Sequence, residues 1–298
     1  MEAWDDYRII LALARGGTLR SAAGSLGLTH TTIARRLAAM QDRRGILFDR
    51  TPTGYTPTDL GLALVEVAER MEALAHAGER HSKAAGEDVS GPITLSLPEP
   101  IAQYLLLEDL FAFTERYPGI ELTVETGFAF ADLDRSEADV VVRGTDTPPD
   151  HLVGRRLFAN HVTFYANRDY VERTPREELR WIAPKVGGLW PDWLETSPYP
   201  DVAVGLRIDD ITARHRAMVA GLGLGRGACF MADPDPRVVR LTDASPVAQQ
   251  DLWVLTHPDL RDTPRIRALM SFLIASLEAK RDLVSGNMPA ELALRTGG

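Results

Sequence analysis

The chain of 298 residues is long enough for two ordinary domains, or for one small domain and a larger two-lobed one. No apolar stretch approaches the roughly 20 residues of a membrane span, and the acidic start lacks an export signal, so we expect a cytoplasmic protein. The single cysteine, Cys229, excludes an internal disulfide and a thiolate metal cluster, and the net charge of −9 argues at first sight against nucleic acid.

Positive charge is concentrated near the beginning of the chain. Residues 1–58 hold eight arginines and five acidic residues, a local charge of +3 that leaves −12 for the remainder. A basic module on an acidic body suits a protein whose one end binds DNA phosphates while its body is repelled by them. Ordinary variation in surface charge is the alternative explanation.

Three helices are predicted within the first 45 residues. Helical periodicity stops at Gly16-Gly17, and Thr18 can cap a second helix. Gly27 supplies a tight turn, and Thr29 can cap a third helix over about 29–42. This order of helix, glycine turn and helix is typical of a helix-turn-helix, although a generic three-helix bundle would show it too.

The third predicted helix has two distinct faces. Three apolar side chains at i, i+4 and i+7 should face the core: Ile33, Leu37 and Met40. Thr31, Arg35 and Ala38 point nearly opposite. Short polar side chains and an arginine on the outer face can approach base edges in a major groove.

A β-hairpin is predicted after the third helix. Residues 46–50 form a short strand, 51–54 a turn, and 55–57 the returning strand. Such a hairpin beside a recognition helix is a wing. Arg50 at its base is placed to meet the DNA backbone or minor groove, the alternative being an ion pair with a nearby aspartate.

Four stretches of sequence carry a family resemblance. They are 13–23, with Gly17-Thr18-Leu19-Arg20-Ser21-Ala22-Ala23, then 26–37, 45–50 and 54–61. Their joint spacing resembles the signature of LysR-type transcription regulators. Thr29-His30-Thr31 stands where the family places serine, glutamine and proline, and Met40-Gln41 stands where leucine and glutamate are usual.

The resemblance implies which side chains contact DNA. The implied set is Thr18, Thr29, His30, Thr31, Thr32, Arg35, Arg36 and Arg50, the last of them on the wing. Arg35 is the principal candidate for a base or phosphate contact. His30 could read a base, although a histidine at a helix end more often meets a phosphate or solvent.

A long helix over about 58–85 is predicted next, with Thr58 as its cap. Its apolar stripe consists of Leu60, Leu64, Val67, Met71, Leu74 and Ala75. The resemblance implies that a partner's linker helix covers this stripe in a homodimer or homotetramer that binds an inverted-repeat operator in double-stranded DNA. Packing on the chain's own body is the alternative.

The remaining chain is predicted to be α/β with parallel strands. Strands are expected at 93–97, 121–126, 139–143, 162–167, 181–183, 202–208, 228–231 and 252–256, and helices at 101–117, 211–220 and 264–280. This order resembles the family's two-lobed effector domain, which is similar to periplasmic binding proteins.

The fold class is therefore an N-terminal all-α winged helix-turn-helix, a linker helix and a C-terminal α/β two-lobed domain. The predicted domains are 1–58 for DNA binding, 59–88 for the linker helix and hinge, and 89–298 for effector binding. Within the last, lobe I covers about 91–163 and 265–284, and lobe II about 164–264.

Ligands in open α/β lobes bind beyond the carboxyl ends of strands. The resemblance places a small-molecule effector of unknown identity there, among the strand-end residues Pro98, Glu99, Arg143, Gly144 and Asp209. Arg143 is a candidate anion anchor, and Glu99 would favour a cationic or hydrogen-bond-donating ligand. Each could instead be a surface or salt-bridged residue.

Other conspicuous residues predict no chemistry. The glycine-rich 221–227 segment follows a helix and precedes a strand, the reverse of a dinucleotide loop. His76 and His81 lack metal-ligand spacing, and Cys229 in an apolar strand is expected to be a buried thiol.

We therefore expect a transcription regulator that is not an enzyme and needs no cofactor or metal. The alternatives are a DNA-binding oligomer without an effector, and a two-lobed ligand-binding protein or enzyme whose first module serves assembly. DNA-independent ligand binding or turnover would distinguish the last of these.

Overall fold

The computed structural model describes residues 4–84, 89–127, 137–185, 192–242 and 245–287. They fall into two compact units, one containing residues 4–82 and the other the described residues from 83 onward. None of the described helices is long and apolar enough to cross a membrane.

The first unit consists of helices with one small hairpin. Its elements are α1 (Trp4–Gly16), α2 (Leu19–Leu26), α3 (His30–Arg44), β1 (Phe48–Thr51), β2 (Gly54–Pro57) and α4 (Asp59–Ala84). Ile33, Leu37 and Met40 are buried in its core, as the spacing predicted, together with Ile9 and Leu13 of α1.

Side-chain caps fix where α2 and α3 begin. The Thr18 hydroxyl accepts a hydrogen bond from the Ser21 backbone N–H, and Thr29 accepts one from that of Thr32. Such a cap satisfies an N–H group that has no partner inside the helix. Between the two helices Gly27 has a φ of 63°, a left-handed conformation that favours glycine. The predicted helix-turn-helix is therefore confirmed.

Two contacts hold the β1–β2 hairpin in place. The side-chain Oε1 of Gln41 on α3 accepts hydrogen bonds from the backbone N–H groups of Leu47 and Phe48, both at 3.0 Å. At the other end a Cβ on Gly54 would lie 2.1 Å from the Gly17 carbonyl oxygen, so only glycine allows this approach. The hairpin is thus positioned by α3 and by the α1–α2 turn together.

We expect Gln41→Leu to loosen the hairpin, because two backbone N–H groups lose their acceptor. This loss should destabilise the hairpin by about 1 kcal/mol or more. Native-state hydrogen exchange should show the Leu47 and Phe48 amides exchanging about 5- to 10-fold faster. Gln41→Glu retains an acceptor oxygen and serves as the control. Unchanged exchange in the leucine variant would show that Gln41 does not hold the hairpin.

The second unit is built on one mixed sheet. Its strands are β3 (Gly91–Leu97), β4 (Ile120–Thr126), β5 (Val140–Gly144), β6 (Val153–Asn167), β7 (Trp181–Ala183), β8 (Val204–Arg207), β9 (Leu224–Ala228), β10 (Val238–Arg240) and β11 (Val247–Thr256). Its helices are α5 (Glu99–Ile101), α6 (Leu107–Arg116), α7 (Arg168–Arg173), α8 (Ile211–Val219), α9 (Cys229–Ala232), α10 (Pro264–Ala279) and α11 (Arg281–Val284).

The strand order is β4-β3-β5-β11-β6-β9-β7-β8, and β10 pairs with β6. Strand β3 is parallel to β4 and β5, and β7 is parallel to β8 and β9. The two central strands, β6 and β11, are antiparallel to their neighbours, which the prediction of parallel strands did not include. We call the β3–β5 side the first lobe and the β7–β10 side the second lobe.

Strands β6 and β11 belong to both lobes. Strand β6 pairs with β11 from Val153 to Val162, and with β9 and β10 from Val162 to Asn167. Apolar residues of the first lobe pack around Leu95, Leu106 and Val142, and those of the second lobe around Trp181 and Tyr165. The lobes therefore have separate cores on one continuous sheet.

One predicted element is wrong. Residues 228–231 were expected to form a strand, but the strand ends at Ala228 and α9 begins at Cys229. All four residues of α9 are buried, so the run shows no alternation that could separate helix from strand. Cys229 therefore lies in a helix, although it is buried as expected.

Candidate DNA-binding face and effector cleft

The outward face of α3 is polar and open. Thr29, His30, Thr31 and Arg35 are exposed, and Thr32 is half-buried. The Thr29 hydroxyl lies 2.9 Å from the hydroxyls of both Thr31 and Thr32, so the helix begins with a cluster of short hydroxyl side chains. Backbone N–H groups and hydroxyls at a helix start are good partners for a phosphate.

Three of the eight arginines in residues 1–58 are exposed and make no hydrogen bond or ion pair with any described residue. They are Arg20 on α2, Arg35 on α3 and Arg50 on β1. Arg50 therefore does not form the aspartate pair that was its alternative role. Surface guanidinium groups without internal partners remain available to phosphates or base edges.

The other five arginines of residues 1–58 bind within the unit. Arg8 and Arg36 lie 3.5 and 3.6 Å from Asp5, and Arg43 lies 3.4 Å from Asp6. Arg15 makes a bidentate ion pair with Glu72, and Arg44 donates a hydrogen bond to the Tyr7 hydroxyl. The acidic first turn of α1 thus neutralises three of these five arginines: Arg8, Arg36 and Arg43.

Some members of the expected DNA-binding set also have structural contacts. Arg36 also lies 3.5 Å from Asp6, and the hydroxyls of Thr18 and Thr29 cap α2 and α3. Arg20 was not in the expected set, although it stands in the run that carries the resemblance. Its signal was an arginine immediately inside a capped helix with no acidic residue one turn away.

Helix α4 presents an apolar seam. Leu60, Val67 and Leu74 are 41%, 41% and 73% exposed and are spaced seven residues apart. Leu64 and Met71 fall between them and are half-buried. Apolar residues at alternating spacings of four and three are the pattern of a two-helix coiled coil.

A cavity of about 400 Å³ lies at the carboxyl ends of β3 and β5 and reaches α8 of the second lobe. Its apolar lining is Pro98, Pro100, Ile101, Ile211, Phe230, Met231 and Leu252. Its polar lining is Arg143, Gly144, Thr145, Asn160, Gln249 and Gln250. We call this cavity the cleft, and it includes three of the expected residues: Pro98, Arg143 and Gly144.

Arg143 is only 2% exposed and is held inside the sheet. Its Nη1 donates to the Val142 carbonyl oxygen and its Nη2 to the Ser96 hydroxyl, both at 2.8 Å. Burial lowers the pKa of Arg143 below its ordinary value, because desolvation disfavours the charged form. The residue braces β5 against β3, and these two nitrogens are already engaged.

Glu99 and Asp209 are not in the cleft lining. Glu99 accepts a hydrogen bond from the Gln103 side chain at 2.7 Å, and Asp209 accepts one from the Asp210 backbone N–H. Asp210 caps α8 through the Ala213 N–H. These carboxylates serve local structure at the strand ends, and the sequence could not distinguish that role from ligand binding.

Sequence reasoning missed the three amides of the cleft: Asn160, Gln249 and Gln250. Asn160 lies on β6, and the two glutamines lie on β11 at a point where the pairing between these strands shifts register. The only signal was a pair of glutamines just before the apolar half of β11. Periodicity assigns such a pair to a loop.

Nothing in the described ranges forms a cluster of three or more metal-ligating side chains. Burial raises the pKa of the Cys229 thiol to about 11, so the thiolate that would act as a nucleophile or metal ligand is disfavoured at neutral pH.

Comparisons with known proteins cover nearly the whole chain. Residues 4–62 match the family model for the bacterial regulatory helix-turn-helix protein, lysR family, and residues 86–278 match that for the LysR substrate binding domain. An HTH-type transcriptional regulator of Xanthomonas campestris pv. campestris is 26% identical, over 97% of this chain and 90% of that protein. The Mau operon transcriptional activator of Paracoccus denitrificans is also 26% identical, over 90% and 94%.

Two solved structures share the fold. The LysR-type transcriptional regulator CrgA from Neisseria meningitidis superposes with a TM-score of 0.56 at 18% identity, covering 93% of this chain and 99% of that one. The Vibrio cholerae virulence activator AphB superposes with a TM-score of 0.55 at 17% identity, covering 92% and 99%.

Proposed function

We propose, since the chain belongs to the LysR family of bacterial transcription regulators, that it reads an inverted-repeat operator through α3 and the β1–β2 hairpin. Its partners are DNA, a small-molecule effector and further copies of itself. In this proposal a dimer or tetramer presents paired recognition helices, and the effector in the cleft changes how the two lobes close. It acts in the cytoplasm, as a regulator of transcription and not as an enzyme.

The observation that carries the DNA-binding proposal is the division among the arginines. Arg20, Arg35 and Arg50 are exposed and make no pair with any residue that the structure describes, whereas the other five arginines of residues 1–58 contact acids or a tyrosine of the same unit. An unpaired surface arginine is stabilised little by the rest of the protein. When it contacts a DNA phosphate, a counterion is released from the DNA, and this release favours binding. In this proposal these three arginines meet the phosphates of the duplex.

Salt dependence tests this proposal directly. Three arginines on each protomer give about six phosphate contacts for a dimer, so binding should fall about 1,000-fold between 50 and 200 mM salt. A gel-shift titration on the DNA upstream of the protein's own gene would measure it, with a shuffled fragment of equal length as the control. Absence of a specific complex at low salt, or affinity that salt does not change, would contradict the proposal.

The proposed regulation requires the effector to bind one arrangement of the lobes better than another. The cleft fits this role because residues of both lobes line it, from Pro98 on one side to Ile211 on the other. Its described lining has no histidine, cysteine or carboxylate that could form a nucleophile and base pair, which supports a binding role over catalysis.

A further inference from the structure

We propose that the effector is an uncharged molecule with an apolar body and at least one N–H or O–H donor, and that Asn160, Gln249 and Gln250 select it. This inference rests on the proposed effector role of the cleft. It adds the chemical class of the ligand and the residues that discriminate it.

A β-bulge brings the three amides together. Ala248 pairs with His161 and Asp251 pairs with Ala159, so two residues of β11, Gln249 and Gln250, oppose the single residue Asn160 of β6. A bulge bends its strand and redirects side chains locally. All three amides consequently line the cleft at the point where the strands pass from one lobe to the other.

Asn160 has an acceptor without a partner. Its Oδ1 is buried and accepts no hydrogen bond from any described residue. Leaving a buried acceptor unsatisfied costs about 1–3 kcal/mol, and a ligand that donates to it removes this cost. A carboxylate, an ester or an ether has no hydrogen to donate, so none of the three can satisfy this acceptor.

The charges around the cleft disfavour ionic ligands. No carboxylate is present in its described lining, so an ammonium group would lose its hydration without gaining a counter-ion, and Arg143 would repel it. The Arg143 guanidinium would attract a carboxylate, but a carboxylate has no hydrogen to donate to Asn160 Oδ1. A neutral donor avoids both costs.

The apolar residues of the cleft determine the shape of the ligand's apolar part. Phe230, Met231, Leu252 and Ile101 form an apolar wall in a cavity of about 400 Å³, which is within the range of small-molecule sites. An aromatic or alicyclic body would bury its surface against this wall while its polar end reaches the bulge.

Three probes with the same two-ring body distinguish a neutral donor, an anion and a neutral ligand without a donor. Their affinities are measured by calorimetric titration of the full-length protein. The probes are naphthalene-2-carboxamide, naphthalene-2-carboxylate and methyl naphthalene-2-carboxylate. We expect the carboxamide to bind about 10-fold tighter than the other two, the value of one hydrogen bond. This comparison needs no variant, so it holds even if a substitution at the bulge prevents folding.

The variant Asn160→Leu assigns the preference to one side chain. It keeps the size and removes the acceptor, so the carboxamide should lose its advantage over the ester. Gln103→Leu is the control, because Gln103 is exposed, bonds to Glu99 and is outside the cleft lining. All three affinities should then match those of the unsubstituted protein.

Tighter binding of the carboxylate, an unchanged preference in Asn160→Leu, or no binding of any probe would each overturn the inference. The DNA complex of Asn160→Leu, measured without probe, keeps this result apart from the proposed function. If the operator complex forms normally while the probes fail, only the ligand class is wrong. If the unsubstituted protein forms no operator complex, the regulator proposal itself fails.

Discussion

Arg35→Ala is expected to weaken the operator complex by about 10-fold or more, the value of one arginine contact to a base or phosphate. Arg35 lies on the outward face of α3, is exposed, and has no ion-pair partner among the residues that the structure describes. Removing it therefore breaks no hydrogen bond or ion pair with a described residue. Fluorescence anisotropy at fixed salt, with a labelled operator, measures the loss.

Arg43→Ala is the matched control for this experiment. Arg43 is exposed on the same helix but lies 3.4 Å from Asp6, so the internal pair already uses its charge. The same unit of charge is removed in both variants, and only the position differs. If both variants bound equally, or if Arg35→Ala bound as the unsubstituted protein does, the assignment of the recognition face would be wrong.

Leu74→Glu is expected to separate the dimer. Leu74 is 73% exposed at one end of the seam formed with Leu60 and Val67. Covering a leucine contributes about 1.5–3 kcal/mol, and a dimer loses that contribution twice, so its dissociation constant should rise about 100-fold or more. Light scattering should then find monomers at micromolar concentration, and operator affinity should fall towards that of a single half-site.

Ala73→Glu supplies the comparison for Leu74→Glu. Ala73 is also exposed but lies one residue earlier, on the side of α4 away from the seam. The Ala73→Glu substitution adds the same charge to the same helix turn and should leave the dimer intact. A Leu74→Glu protein that stays dimeric and binds its operator would show that the seam is covered by something other than a partner helix.

Local signals were enough to predict the first unit. The caps Thr18 and Thr29 and the turn at Gly27 depend on hydrogen bonds and torsions within a few residues, and sequence records both. The third helix extends two residues beyond the predicted end, to Arg44. Fraying and capping leave such boundaries uncertain by a residue or two.

Long-range pairing explains what the sequence did not predict in the second unit. The first half of β6 contains Gly154, Arg155 and Arg156, all exposed, and carries no strand pattern. It is a strand because β11 pairs with it, and β11 lies about 90 residues further along the chain. The bulge at Asn160 arises from the same pairing, so the amides of the cleft could not be found from periodicity.

The DNA-binding set shows a similar limit. Arg35 and Arg36 are neighbours in a helix, and the family resemblance gave both the same role. Their difference comes from α1, whose Asp5 and Asp6 lie against Arg36. Which arginine remains available is a property of tertiary packing, and it becomes visible only when the acids of another helix are placed.

The shared strands limit how this protein can change its ligand. Each lobe contains half of β6, and β11 links both halves across the bulge. A lobe taken from a relative would bring its own half-strands, whose register would have to match at Asn160. New specificity is therefore more accessible through single substitutions around the cleft than through grafting a lobe.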